Sequence, residues 1–114
     1  VKLEISREIT GAICLMRLNG LMNHPIGTRY FKQQLLLAMT DYQKILLDFE
    51  NLTYFDSLSV SVILGMSKLL KDTGGSLRIC CANYIIQDLF STLNIDQAIR
   101  QYDSVEEALA DTWD

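Results

Sequence analysis

The run Tyr54-Phe55-Asp56-Ser57-Leu58-Ser59-Val60-Ser61 places one carboxylate and three hydroxyls between two apolar segments. A serine beside an acid has three chemical uses. It is a nucleophile when a base takes its proton, a phosphate acceptor when a kinase supplies the group, or a helix cap when only the backbone needs it. The base is missing: His24 is the sole histidine and has no acid-histidine block near it. His24 also lacks a second histidine or a cysteine at ligand spacing, so it reads as a loop residue and no metal site is expected. Cys14, Cys80 and Cys81 form an odd set with an adjacent pair, which suits a reducing compartment better than a disulfide framework. Neighbouring strand positions point to opposite faces, so Cys80 and Cys81 are expected to be small buried hydrophobes that share no metal. Glycine-rich phosphate loops are absent, Gly74-Gly75 reads as a helix stop, and Glu106-Glu107 as a helix start.

Phe55-Asp56-Ser57-Leu58 resembles the Gly-Asp-Ser-Leu block of a serine-esterase family, but Phe55 replaces its glycine and the Asp-x-x-His block is missing. An unactivated serine is a weak nucleophile, and no enzyme is expected. The phosphate reading depends on orientation. With Ser57 at 0° and about 100° per residue, Leu58, Val62, Ile63, Met66, Leu69 and Leu70 fall on one arc expected to face a sheet. Ser59 lands inside that arc. Ser57, Ser61 and Lys68 face outward with Gly65 beside them, and Val60 and Leu64 lie near the same side. Asp56, Ser57, Val60, Ser61, Leu64, Gly65 and Lys68 therefore form the expected partner-contact patch, with Asn23 also expected to contact the partner. Ser57 occupies the first turn, where free donors and the positive end of the helix dipole favour an added phosphate. Asp56 or Ser57 as a simple N-cap explains the same pair without function.

The elements that must hold this segment follow from periodicity. Val1 to Ser6 and Ala12 to Leu18 read as two strands of a hairpin turning at Gly11, with Asn19-Gly20 ending the second. Ile26 to Thr40 is helical after Pro25. Lys44 to Phe49 is an almost continuously apolar strand, Leu58 to Thr73 a helix, and Leu77 to Cys81 a strand. Asn83 caps a helix bearing Ile85, Ile86, Leu89, Phe90 and Leu93, and Ala98 to Tyr102 reads as a short edge strand. A last helix opens near Asp103-Ser104, where both Asp103/Glu106 and Ser104/Glu107 have capping-box spacing. The 114 residues are one domain, 1–114, with 49% hydrophobic and 21% charged residues, a globular composition. The fold class expected is α/β, with a mixed β-sheet of about five strands and about four helices. A net charge of −4 and no basic stripe argue against a nucleic-acid partner. The absence of a membrane span or signal sequence makes the expected localisation cytoplasmic.

The order of segments and the block "ILLDFENLTYFDSLSVSVILGMSKLLKDTGGSLRICC" resemble the STAS family, typified by the anti-sigma factor antagonists of bacteria. The likeness covers essentially the whole chain, including Leu18-Asn19-Gly20, Leu47-Asp48-Phe49, Asp56-Ser57, Gly74-Gly75 and the Leu89-Phe90 to Leu93 helix. It implies a partner-switching module that binds an anti-sigma factor with serine kinase activity and leaves it once phosphorylated. A serine phosphatase would reset the switch. The implied acceptor is Ser57, with Asp56 as its acidic neighbour, no cofactor, and a monomer or weak homodimer. Ser59 stands where the family commonly has glycine, and Asn23 where it often has an acid that assists the kinase reaction. The alternative is an unphosphorylated STAS scaffold or regulatory subunit of a stress-signalling or transporter complex.

Overall fold

The computed structural model describes residues 2–113; Val1, placed in the first strand by its pattern, lies outside them. Strand β1 (Glu4–Thr10) turns at Gly11, φ +61°, into β2 (Ile13–Met22), and the pair is antiparallel with Thr10 opposite Ile13. Helix α1 (Ile26–Met39), strand β3 (Lys44–Phe55), helix α2 (Ser57–Asp72) and strand β4 (Ser76–Cys80) follow. Helix α3 (Tyr84–Thr92), a single 3-10 turn (Ile95–Gln97), strand β5 (Gln101–Tyr102) and helix α4 (Val105–Ala110) complete the chain. The five strands lie in the order β1-β2-β3-β4-β5, with β2 to β5 parallel. This is the expected mixed sheet with four helices.

Strand order equal to chain order makes each crossover step the same way. Crossovers of one hand then stack α1, α2 and α3 on one face. The apolar residues on that face are Cys14, Met16 and Leu18 of β2, Ile45, Leu47 and Phe49 of β3, and Leu77 and Ile79 of β4. They pack with Phe31, Leu35, Ile63, Met66, Leu70, Ile86 and Phe90 from the helices. Phe49, Phe55 and Phe90 form a ring triangle with centroids 5.6–6.1 Å apart, tying the far end of β3 to α3. The alternate residues Ile13, Leu15, Leu46 and Cys80 face the other way, under Ala108 of α4 and Trp113.

Three strands run past their expected ends, β1 by continuing from Ser6 to Thr10. β2 continues through Asn19-Gly20 to Met22, and β3 continues from Phe49 to Phe55. The β2–β3 register shifts between Arg17 and Asn19 and again between Gly20 and Leu21, so bulges carry the pairing onward where sequence alternation breaks down. Gly20 has φ +110°, and a Cβ there would strike the carbonyl of Lys2, so only glycine fits. Helix α2 ends as expected: Gly74, φ +88°, donates to the Lys71 carbonyl at 2.9 Å, and Gly75 to that of Leu70 at 2.9 Å. Asn83 and Ser104 cap α3 and α4 by accepting from the Ile86 and Glu107 N–H groups at 2.9 and 3.1 Å.

A polar latch holds the segment after α4, residues 111–113. Arg78, buried in β4, lies 4.3 Å from the centre of the Trp113 ring and donates to the Thr112 carbonyl at 2.9 Å and the Tyr102 hydroxyl at 2.8 Å. The Tyr102 hydroxyl in turn donates to Asp111 Oδ2 at 2.6 Å. Hydrogen bonds from Tyr102, then from the Thr112 N–H and Arg100, bring the Asp111 carboxyl down to about 2.

Candidate functional site

The parallel strands β2 and β3 finish together, with Met22 paired to Phe55. Their next residues, Asn23-His24 and Asp56-Ser57, therefore meet at the carboxyl end of the sheet, where parallel α/β folds place their functional loops. Asp56 is the N-cap of α2. Its Oδ1 accepts from the Ser59 N–H at 2.8 Å and from the Ser59 hydroxyl at 2.6 Å, and its Oδ2 accepts from the His24 N–H at 3.0 Å. Partial burial is the largest single influence on this carboxyl and pushes its pKa up. The donors on Ser59 and His24, with the charge of His24, outweigh it and hold the group below the usual carboxylate range.

Ser59 is buried, as its place on the helix wheel predicts, and its Oγ also lies 2.9 Å from the Met22 carbonyl. The serine thus pins α2 to the ends of both strands. Ser57 is exposed in the first turn, with Ser61, Gly65 and Lys68 exposed behind it on the same azimuth. Lys68 pairs with Asp72 at 3.6 Å on the surface. Asn23 is exposed. Its carbonyl accepts from the Gly27 and Thr28 N–H groups at 2.8 and 3.2 Å, which starts α1. His24 Nδ1 lies 3.1 Å from the Thr28 hydroxyl.

The expected patch needs two corrections. Val60 is 3% exposed and belongs to the core, and Leu64 is half-buried against that core. Leu58 and Leu69, expected against the sheet, are 59% and 44% exposed. The helix is rotated by roughly 70° from the most apolar arc at about 100° per residue. The cause lies in Ser59 and Ser67: both are buried, and Ser59 is held by the Met22 carbonyl and Asp56. The apolar side chains exposed toward this end of the sheet are instead Leu58, Ile26 at the start of α1, and Tyr84 and Ile85 at the start of α3.

The adjacent cysteines also depart from expectation. β4 ends at Cys80, and Cys81 has φ +65°, which breaks the alternation that would have sent its side chain to the other face. Cys81 packs with Cys80 on the α4 side, and the Asp48 carboxylate and both sulfurs lie within 4.8 Å of one another. All three cysteines are free thiols, and burial raises the pKa of each. Sequence reasoning passed over the His24 N–H and the Ser59 hydroxyl as partners of Asp56. The spacing Asp56-x-x-Ser59 was the available signal for the second. Among the described residues no helix is long and apolar enough to cross a membrane.

The family model of the STAS domain matches residues 4–108. The chain is 26% identical over 112 residues to the anti-sigma F factor antagonist of Paenibacillus polymyxa, with 97% of this chain and 96% of that protein covered. An anti-sigma factor antagonist from Mycobacterium paratuberculosis shares the fold at a TM-score of 0.86 and 10% identity, covering 95% of this chain and 92% of the other. The Bacillus cell fate determinant SpoIIAA in its phosphorylated form gives a TM-score of 0.72 at 20% identity, covering 93% and 96%.

Proposed function

We propose that this chain, which belongs to the STAS domain family, is an anti-sigma factor antagonist switched by phosphorylation of Ser57. The observation that carries the reading is the contrast between adjacent residues. Ser57 is exposed in the first turn of α2, whereas Asp56 has both carboxylate oxygens engaged and Ser59 is sealed beneath it. Ser61 shares the outward direction but sits one turn deeper, where the backbone donors are already used. Support also comes from the full-length likeness to an anti-sigma F factor antagonist, and from SpoIIAA, a protein solved in unphosphorylated and phosphorylated forms.

In this scheme the partner is an anti-sigma factor that is also a serine kinase and holds ATP. The Ser57 hydroxyl oxygen bonds to the γ-phosphorus, the bond to the bridging oxygen breaks, and ADP leaves. The hydroxyl proton passes to a base of the kinase. Asp56 is a poor base for it, because its lowered pKa leaves little affinity for a proton at neutral pH. Its work is to cap α2 and fix the loop bearing Asn23 and His24. A serine phosphatase restores the hydroxyl.

Release follows from charge. The phosphate brings nearly two negative charges to a surface formed by Ser57, Leu58, Ser61, Gly65 and Lys68. Facing a partner carboxylate about 6 Å away, it costs about 1.4 kcal/mol at a water-like dielectric and about 5.5 kcal/mol at an effective value of 20. Tenfold or more of the affinity is lost without refolding. Incubation with the cognate kinase and ATP, followed by intact-mass measurement and phosphopeptide mapping, tests the scheme. One phosphate on Ser57, absent from Ser57→Ala, is the expected result. An unmodified chain in a stable complex would instead identify a scaffold.

A further inference from the structure

On the α4 side of the sheet, away from Ser57, the pairings Arg17–Asp48 and Asp48–Cys80 align three side chains in a row across β2, β3 and β4. Asp48 is a buried carboxylate. It accepts from Arg17 Nη1 at 3.0 Å and from the Glu50 N–H at 2.9 Å. Those two bonds leave lone pairs on the carboxylate free. The left-handed turn at Cys81 adds a second thiol to the same spot, so two sulfurs and a carboxylate oxygen converge within 4.8 Å. Four ligands around a tetrahedral ion of zinc size, bound at about 2.3 Å through sulfur and about 2.1 Å through oxygen, lie about 3.4–3.8 Å from one another. Side-chain shifts of about 1 Å or less would close this cluster on an ion.

We propose that Asp48, Cys80 and Cys81 form a binding site for a thiophilic divalent cation of the zinc class. Two sulfurs select against calcium and magnesium, which take oxygen ligands. The charges balance: two thiolates and one carboxylate, offset by Arg17, meet a doubly charged ion with no net charge left over. Each thiol gives its proton to the buffer as its sulfur takes the metal. A cleft of about 280 Å³, lined by Arg17, Glu50, Cys81, Asp103 and Glu106 among others, opens onto the site. Its three carboxylates attract a cation, and its solvent supplies the fourth ligand. Arg17, bonded to Asp48 and at 3.4 Å to Glu8, fixes the carboxylate's orientation as an outer-sphere partner.

The test is titration of the full chain, freed of metal and kept reduced by a phosphine, with Co²⁺ and then Zn²⁺. The expected result is a sulfur-to-cobalt charge-transfer band in the near ultraviolet that saturates at one ion per chain and is bleached by Zn²⁺. Cys14→Ala should retain the band, since that thiol lies on the other face. Cys81→Ser, verified as folded by circular dichroism, should weaken Co²⁺ binding by more than about 100-fold, because loss of a ligand exceeds the loss of an outer-sphere partner. Asp48→Asn, if it folds, should weaken it by about tenfold or more. A folded wild-type chain with no band, a band lost in Cys14→Ala, or one unchanged in Cys81→Ser or in folded Asp48→Asn would overturn the site.

Discussion

Replacing Ser59 with alanine removes one oxygen from the junction where β2, β3 and α2 meet. That hydroxyl has a single proton and two acceptors in reach, the Asp56 carboxylate at 2.6 Å and the Met22 carbonyl at 2.9 Å. The carboxylate wins it, being charged and nearer. A hydrogen bond to a charged group contributes about 1.5–3 kcal/mol, and because Ser59 is fully buried while Asp56 is only partly so, the loss falls within that range without exceeding it. Unfolding entropy of about 2.1 cal/mol/K per residue gives about 0.24 kcal/mol/K for this chain of 114 residues. A loss of about 2 kcal/mol then lowers Tm by about 8 °C. Asp56→Asn keeps most of the cap but not the charge, so the double-mutant cycle should give a coupling of about 1 kcal/mol or more. The pH dependence has a definite sign. The folded pKa of Asp56 is depressed, so its stabilisation is present above the ordinary carboxylate range and is lost as pH falls through the folded value. Ser59→Ala should flatten that acid limb. Thermal melts from neutral to acid pH measure all three quantities. A Tm change under about 2 °C, or a coupling below about 0.5 kcal/mol, would refute the view that this hydroxyl serves the carboxylate.

Leu58→Ala should leave Tm within about 2 °C yet weaken the complex with the anti-sigma partner by about tenfold, read by calorimetry. Val60→Ala should do the reverse, costing about 2 kcal/mol of stability in denaturant titration with partner affinity per folded molecule unchanged. Ser57→Glu should reduce partner affinity by about tenfold with Tm steady, because a negative charge is welcome at a helix N-terminus. Asp111→Asn should remove the part of the acid unfolding profile between about pH 4 and pH 2, since a carboxyl held at about 2 loses its stabilising effect only in that window.

Much of this architecture is legible in the chain because it rests on local chemistry. Gly11, Gly74 and Asn83 each meet a backbone need their residue types are suited to, and each sits where spacing alone puts it; spacing leaves the last cap between Asp103 and Ser104, and Ser104 takes it. Ser59 points inward as its azimuth requires. The misreadings arise where distant segments decide. The second half of β3 buries Leu52 and Phe55, every third residue and not every second, because bulges opposite it absorb the mismatch, so it does not read as a strand. The rotation of α2 depends on a bond to Met22, and the meeting of Asn23, His24 and Asp56 depends on the β2–β3 register. Nothing nearby in the sequence records either. Cys81 is a single left-handed residue without glycine's freedom, and no residue pattern announces it.

A sheet whose spatial order repeats its chain order can be assembled by addition, each strand joining the one made just before it. During synthesis, the hairpin of β1 and β2 is complete before β3 emerges, and β3 docks without waiting for any later segment. The exposed moment comes next. Until β4 arrives, Ile45-Leu46-Leu47 is an open edge of high strand propensity, bare on its far side and ready to pair with another nascent chain. Helix α2 bridges that interval, and its polar cap lets it begin folding before its partner strand exists. A chain released with its end between Asp72 and Ser76 would therefore be the most aggregation-prone length of this protein.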